Sequence, residues 1–222
     1  WMTEMHEKIK NKDDNHLSPL IALYLYGRSF FLQDQPVAAE HTPALKFWLA
    51  QAKQHWVKLD HLQSQGHLAI ALKRFGDADT ARRIMVSLKE RSVNEEELGM
   101  YWPGQQRSPW WYRAPIAGQA LMIEAFDEVA GDAQAVEDCK VWLLKQKQTQ
   151  DWKTTRATAD AVYALLLRGT SQLASTKLVE VSLGDETVRP ETVEAGTGFY
   201  EQRFTRTEIK PEMGRITVTK ND

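Results

Sequence analysis

The chain has 222 residues, 42% hydrophobic and 26% charged, a balance typical of globular domains rather than of disordered, collagen-like or coiled-coil chains. Its 28 Lys and Arg against 30 Asp and Glu give a formal net charge of −2, which provides no electrostatic reason to expect a nucleic-acid partner. No apolar run reaches the ~20 residues of a membrane span, and a single cysteine, Cys139, excludes an internal disulfide. At roughly 100–200 residues per domain, we expect one large domain, or one domain and part of a second.

The first residues indicate a segment of a longer protein. The chain begins Trp1-Met2, and no basic stretch followed by an apolar stretch resembles a signal peptide. We therefore expect a processed or excised fragment, in which residues 1–16 lead into the first strong helix.

Helix signals recur along residues 17–170. Ser18-Pro19 and Thr42-Pro43 each place an N-cap residue before proline, which is favoured in the first helical turn. Gly76 and Gly131 follow apolar stretches, as is typical of helix C-termini. Apolar periodicity then predicts helices over residues 20–31, 43–59, 66–75, 79–92, 114–129, 133–147 and 157–167.

The predicted helices alternate in character. Four are apolar nearly all round, namely 20–31, 66–75, 114–129 and 157–167, and the intervening ones have a single apolar face. The alanine-rich centres of the four recur about 44 to 49 residues apart, close to the spacing of helix-pair repeats. Alternation between helices buried on both sides and on one side predicts two layers, as in an α/α toroid or a HEAT-like solenoid.

After Ser171 the pattern changes from helical to strand-like. Three segments alternate with period two and are predicted as strands: residues 178–183, 199–207 and 214–219. We expect a linker over residues 171–177 and part of a β-sandwich over residues 178–222, because so few short strands leave faces and edges without partners. The predicted fold is mainly α, with an incomplete α/α toroid followed by a small β-sheet segment.

No segment carries a strong catalytic motif. His55, His61 and His67 lie six residues apart, which scatters them over different faces of a helix instead of gathering them around a metal. Cys139 lies among apolar residues, where a free cysteine usually acts as a small buried hydrophobe. We predict no catalytic residues, no metal site and no cofactor.

Two carboxylates leave an enzymatic alternative open. Glu124 and Asp160 lie on apolar helices that would line the cavity of a toroid, where a carboxylate pair could hydrolyse a glycosidic bond. An acidic residue on a helix is more often solvated or ion-paired. A toroidal enzyme acting on glycans or terpenoids is therefore the alternative to a non-catalytic protein.

The most unusual segment is aromatic. Five aromatic residues fall within twelve positions before the helix 114–129, and we name them as candidate partner-contact residues: Tyr101, Trp102, Trp110, Trp111 and Tyr112. Clustered loop aromatics can form a stacking surface for sugars or anchor a protein partner, and the second would suit a helical-repeat binding scaffold. Because aromatics also carry large burial energies, the same residues could instead plug the end of the helical layer.

Residues 99–167 carry the most specific pattern. An outer-helix segment, 141–152, ends in a Gln-rich turn and Trp152, and a Thr- and Ala-rich apolar helix follows over residues 154–167. This arrangement resembles the end of the α/α toroid of bacterial alpha-2-macroglobulins. Residues 99–102 and 116–123 resemble the preceding repeat of that domain.

The resemblance extends more loosely over residues 17–222. The segment from Leu178, with its Ala-Gly-Thr-Gly at residues 195–198, is similar to the start of the β domain that follows the macroglobulin toroid. Squalene cyclases and prenyltransferases share the toroid, and their glutamine–tryptophan motif is similar to residues 146–152. Their aspartate-rich acid motif is missing, because Asp13-Asp14 lies outside the helical repeats.

The resemblance implies a fragment of a large extracytoplasmic endopeptidase inhibitor, periplasmic or anchored outside the cytoplasm. In this family a protease cuts a bait segment, the molecule rearranges and the protease is trapped. The implied partners are target proteases, bound through the full-length parent, and the other macroglobulin domains of that parent. Many members carry a Cys-Gly-Glu-Gln thioester, but Cys139 is followed by Lys140-Val141-Trp142, so no thioester can form within this chain.

Overall fold

The computed structural model describes residues 1–103, 114–149, 152, 154–168, 179–188 and 201–219. These residues are mainly helical, with small antiparallel sheets, as the sequence predicts at this coarse level. The chain divides into two units, Trp1–Ser171 and Gln172–Asp222. Within the described ranges the first unit holds eight α-helices: α1 (Met2–Lys8), α2 (Pro19–Ser29), α3 (Thr42–His55), α4 (Leu62–Arg74), α5 (Ala78–Glu90), α6 (Pro115–Ala125), α7 (Ala133–Thr149) and α8 (Thr155–Leu167).

Local capping explains where several helices begin and end. The Ser18 hydroxyl accepts a hydrogen bond from the Ile21 amide at 3.4 Å, and Pro19 occupies the first turn of α2, as predicted. Gly76 and Gly131 have φ of +95° and +63°, the left-handed conformation of helix C-termini. The helix predicted from residue 43 begins at Thr42 itself and ends at His55, before a 3₁₀ turn over Trp56–Lys58.

Alternate helices of the first unit form one row. Helix α2 packs against α4, α4 against α6, and α6 against α8. The intervening helices pack on this row: α3 on α2 and α4, α5 on α4, and α7 on α6 and α8. The helices of the row are the four that the sequence predicts as apolar nearly all round.

Burial is deepest in the middle of the row. Every residue from Leu62 to Leu72 in α4 and from Ala117 to Ala125 in α6 is buried. The two helices approach closely at Gly66, where an added Cβ would overlap the tips of the Met122 and Leu121 side chains. Apolar burial along α4 and α6 therefore supplies the centre of the core.

A short hairpin lies between α5 and α6 in the chain, and it was not predicted from the sequence. Strand β1 (Val93–Glu95) pairs antiparallel with β2 (Gly99–Tyr101), and β2 packs on α7. At Gly99 φ is +74°, and an added Cβ would overlap the Asp138 carbonyl oxygen. Only glycine allows both this backbone conformation and this close approach.

The second unit contains a three-stranded antiparallel sheet among its described residues. Strand β3 (Glu180–Leu183) lies between β4 (Glu186–Thr187) and β5 (Ile216–Thr219), with Glu180 opposite Thr219. Strands β3 and β5 fall within the predicted segments 178–183 and 214–219.

The strand predicted over residues 199–207 is wrong in its described part. Residues 201–207 form no strand. The Glu208 carboxylate accepts hydrogen bonds from the amide and hydroxyl of Thr205, at 2.6 and 2.9 Å, and this local side-chain bonding makes a turn. Residues 199 and 200 lie outside the described residues.

None of the helices in the described ranges is both long enough and apolar enough to cross a membrane.

Candidate functional site: the inner-face cleft

The four helices of the row line an open cavity of about 330 Å³, which we call the inner-face cleft. Helices α2, α4, α6 and α8 each contribute to its walls. The side chains that line it include aromatic, amide, imidazole and charged groups: Tyr26, Phe30, Gln63, His67, Glu124, Arg156, Asp160 and Tyr163. A mixed lining of this kind, in a cavity of this size, can hold a small polar ligand or a side chain of another protein segment.

Two polar residues of α4 form the floor of the cleft. Gln63 is 3% exposed, and its Oε1 has no hydrogen-bond partner among the described residues. The His67 ring lies 4.7 Å from the Tyr26 ring, centroid to centroid. Burial, with a smaller contribution from the positive charge of Arg156, lowers the pKa of His67 to about 3, so its imidazole is neutral at pH 7.

Glu124 is the most heavily engaged residue of the cleft. Its side chain is buried on α6, and its Oε2 accepts a hydrogen bond from the Tyr26 hydroxyl at 2.8 Å. Its Oε1 lies 2.9 Å from Arg74 Nη2 and 3.1 Å from Arg168 Nη2. Burial and the Glu124 carboxylate together raise the pKa of Tyr26, which keeps that hydroxyl protonated as a donor.

Both arginines also contact a second carboxylate beyond Glu124. Arg74 donates from Nε and Nη2 to the two oxygens of Glu128, at 2.7 and 2.6 Å, in the bidentate geometry that guanidinium favours. Arg168 Nη1 lies 3.6 Å from Glu128 and 3.7 Å from Asp127. We call Arg74, Glu124, Asp127, Glu128 and Arg168 the Glu124 cluster; it joins α4, α6 with its following π-helical turn, and the end of α8.

At the mouth of the cleft lies a second, more exposed ion pair. Arg156 Nε and Asp160 Oδ2 are 3.6 Å apart, one turn from each other along α8. Partial burial raises the pKa of Asp160, and the Arg156 guanidinium partly offsets that effect. The structure thus brings Glu124 and Asp160 to one cavity, with Glu124 in a saturated ionic cluster and Asp160 near solvent.

The histidines and the cysteine lie apart from one another. His55 ends α3, His61 precedes α4 and His67 lies within α4. Among the described residues no group of three or more His, Cys, Asp or Glu side chains is placed to hold a metal ion. Cys139 is buried on α7, and burial raises the pKa of its thiol, which disfavours the nucleophilic thiolate.

Two of the five aromatic candidates lie in described residues, and both contribute to packing. Trp102 is buried, donates from Nε1 to the Leu88 carbonyl at 2.8 Å, and stacks on Phe126. Tyr101 is partly buried and stacks on Trp142, with ring centroids 6.2 Å apart. Trp110, Trp111 and Tyr112 lie outside the described residues, and their contact role stays a prediction.

Sequence reasoning missed several residues that line the cleft or contact Glu124. Arg74 and Arg168 each sit at the C-terminal end of an apolar helix, where a basic residue usually suits the helix dipole and carries no further signal. Tyr26 looked like an ordinary member of an apolar helix, and Gln63 lay before the helix predicted over residues 66–75, whereas α4 begins at Leu62. When the helices of the row pack together, Tyr26, Arg74 and Arg168 come into contact with Glu124, and Gln63 becomes part of the cleft floor.

Sequence comparison finds no matching family model and no matching curated protein for the chain. Its function is therefore inferred from three features of the chain itself. These are the pattern of residues 99–167, the row of alternate helices, and the inner-face cleft.

Proposed function

We propose that this chain is a non-catalytic part of a bacterial alpha-2-macroglobulin-like protease-trapping protein. In this proposal the row of helices belongs to an α/α toroid, and the second unit belongs to the β domain that follows it. The parent would act outside the cytoplasm and bind its target proteases, while this chain packs against other domains of the parent. Its role would be that of a body that moves when the bait segment is cut.

The observation that carries the proposal is the alternation of the helices. The four that line up as a row are separated by helices that pack on the row, which is the arrangement expected of repeated helix pairs. The change to strands follows the last helix of the row, in the order the resemblance implies.

The ends of the row are consistent with a longer arrangement. Leu20 and Tyr24 of α2, and Val162, Tyr163 and Leu166 of α8, are large side chains exposed by 38–50%. In the proposed toroid, further inner helices would pack against these faces, because exposed apolar faces of this kind usually mark contact surfaces.

A trapping assay tests the proposed function. The natural protein that contains this segment is mixed at equimolar ratio with a broad-specificity serine protease, and hydrolysis of casein is measured beside hydrolysis of a small peptide anilide. Steric trapping predicts that casein hydrolysis falls severalfold while peptide hydrolysis persists. Unchanged hydrolysis of both substrates, or loss of both, would contradict trapping.

The isolated 222-residue chain is the matched control. Because bait cleavage and rearrangement belong to the parent in this proposal, the chain alone should leave both activities of the protease unchanged. Stoichiometric inhibition by the purified chain would count against the assignment of a non-catalytic, non-inhibitory part.

A toroidal glycan-active enzyme is the second candidate, because Glu124 and Asp160 line the same cleft. A raised pKa suits Asp160 to donate a proton, as the acid of a glycosidase pair does. Glu124, however, accepts from Tyr26 and two arginines, so no oxygen of its carboxylate faces a substrate unopposed. If the chain hydrolyses a panel of aryl glycosides and Asp160→Asn abolishes that activity, this candidate replaces the trap.

A further inference from the structure

We propose that α8 is a movable wall of the inner-face cleft and that Arg168 is the latch that holds its C-terminal end to the Glu124 cluster. Opening of α8 would separate Arg156, Asp160 and Tyr163 from the rest of the cleft. This inference goes beyond the proposed function and stands without it.

Among its described residues, helix α8 has fewer large buried apolar side chains than α4 and α6, the two central helices of the row. Its contacts are mainly with α6, and its fully described buried face consists of small residues and one leucine: Ala157, Ala161, Ala164 and Leu165. Its opposite face exposes Val162 and Leu166, and Tyr163 is partly exposed in the lining of the cleft. An alanine methyl contributes much less burial free energy than a leucine or isoleucine side chain, so packing alone holds α8 weakly.

Polar interactions occur at both ends of α8, but only those at the C-terminal end reach another element. At the N-terminus the Thr154 hydroxyl accepts a hydrogen bond from the Ala157 amide at 3.1 Å. At the C-terminus the Arg168 guanidinium lies within 3.1–3.7 Å of carboxylate oxygens of Glu124, Asp127 and Glu128. The side chain of Arg168 is only 17% exposed, so solvent screens these interactions much less than it screens a surface pair.

The charge balance of the Glu124 cluster depends on Arg168. The Glu124 cluster holds three carboxylates and two guanidinium groups. Without Arg168, Arg74 alone would balance the charges of Glu124 and Glu128, and an uncompensated buried charge is strongly destabilising. The cluster therefore favours the state in which α8 lies closed against α6.

Opening of α8 would change which side chains of the cleft are accessible to solvent or to a ligand. The α8 side chains at the mouth are Arg156, Asp160 and Tyr163, whereas Gln63 and His67 form the floor. When α8 moves away, the neutral His67 becomes accessible, and so does the Gln63 Oε1, which has no hydrogen-bond partner in the described part of the chain. Elements that move in proteins are drawn from regions of low local stability, which suits α8.

Native-state hydrogen exchange with mass spectrometry tests the latch on the full chain. Arg168→Gln should accelerate exchange of the amides of residues 158–167 by about tenfold or more, while exchange in α4, residues 62–74, stays within about twofold of wild type. Arg156→Gln is the matched control, because it removes an arginine of the same helix whose pair with Asp160 is exposed. It should change exchange in either helix by less than about threefold.

Two results would overturn the proposal. One is unchanged exchange of α8 in Arg168→Gln. The other is equal acceleration in α4 and α8, which would make Arg168 a general stabiliser and not a latch. If Arg168→Gln does not fold, Arg168→Lys is measured by the same criterion, because lysine keeps the charge but loses the guanidinium fork.

Discussion

Helices α4 and α8 look alike in sequence but differ in the structure. Both are predicted as apolar nearly all round, and both belong to the row. In α4 every residue from Leu62 to Leu72 is buried, whereas α8 exposes Val162, Tyr163 and Leu166. The difference follows from position, because α4 packs between α2 and α6, and α8 has only α6 as a neighbour in the row among the described helices.

This contrast shows that helices of the same row can be stabilised by different interactions. For α4 the source is apolar burial, which is non-directional and proportional to the area removed from water. For α8 a larger share comes from a capping hydroxyl and an ionic cluster, which act at the helix ends. Substitutions of the same chemical type should therefore have different effects in the two helices.

The largest expected difference is between two leucine truncations. Leu68→Ala in α4 removes a side chain that is 0% exposed and should lower the free energy of unfolding by about 2–5 kcal/mol. Leu166→Ala in α8 removes one that is 44% exposed and should lower it by about 1 kcal/mol or less. Urea denaturation followed by circular dichroism measures both. Equal losses would contradict the contrast between the helices.

The next effect concerns the ionic cluster. Glu124→Gln keeps the shape of the side chain but leaves Arg74 and Arg168 without their shared buried anion, which should cost about 2–4 kcal/mol of unfolding free energy. Asp160→Asn is the control, because its pair with Arg156 is exposed and should contribute at most about 1 kcal/mol. A loss for Glu124→Gln no greater than for Asp160→Asn would show that the cluster contributes little.

A pH effect is expected from His67 in the buried centre of α4. Its folded pKa of about 3 lies below the unfolded value near 6.5, so the unfolded state binds the extra proton between these limits. Stability from this group is complete above about pH 6.5 and is lost as the pH falls toward 3, with a slope of up to about 1.4 kcal/mol per pH unit. Denaturation of the wild type and of His67→Gln over this range measures the difference. Parallel pH profiles would contradict a buried, neutral His67.

The smallest effect is at the N-terminus of α8. Thr154→Ala removes the hydroxyl that accepts from the Ala157 amide and should cost about 1 kcal/mol. The control is Thr154→Ser, which keeps the capping oxygen and should stay within about 0.5 kcal/mol of wild type. If both variants match the wild type in thermal unfolding, α8 does not depend on its cap.

Much of the helical unit could be predicted from sequence because its signals are local. Ser18-Pro19, Gly76 and Gly131 mark helix ends through short-range capping and glycine conformation, and the structure confirms them. The hairpin β1–β2 could not be predicted, because its three-residue strands depend on the close contact of Gly99 with α7. The alternating residues 199–207 were misleading, since local bonding by Glu208 turns the chain at Thr205.

The candidate site was predictable only in part. Placing Glu124 and Asp160 on a shared cavity followed from assigning both to helices of the row. The difference between the environments of Glu124 and Asp160 could not be predicted. Arg74 and Arg168, which contact Glu124, are 50 and 44 residues away from it in the sequence. Charge pairing across such separations depends on tertiary packing, which a single sequence does not reveal.

The most direct test of the central claim is an electron cryo-microscopy structure of the proposed parent protein. We predict that α2, α4, α6 and α8 belong to a closed ring of helix pairs, in which other helices cover Leu20 and Tyr24 on α2 and Val162 and Leu166 on α8. A structure in which the row stays open and these side chains lie in solvent would contradict the account.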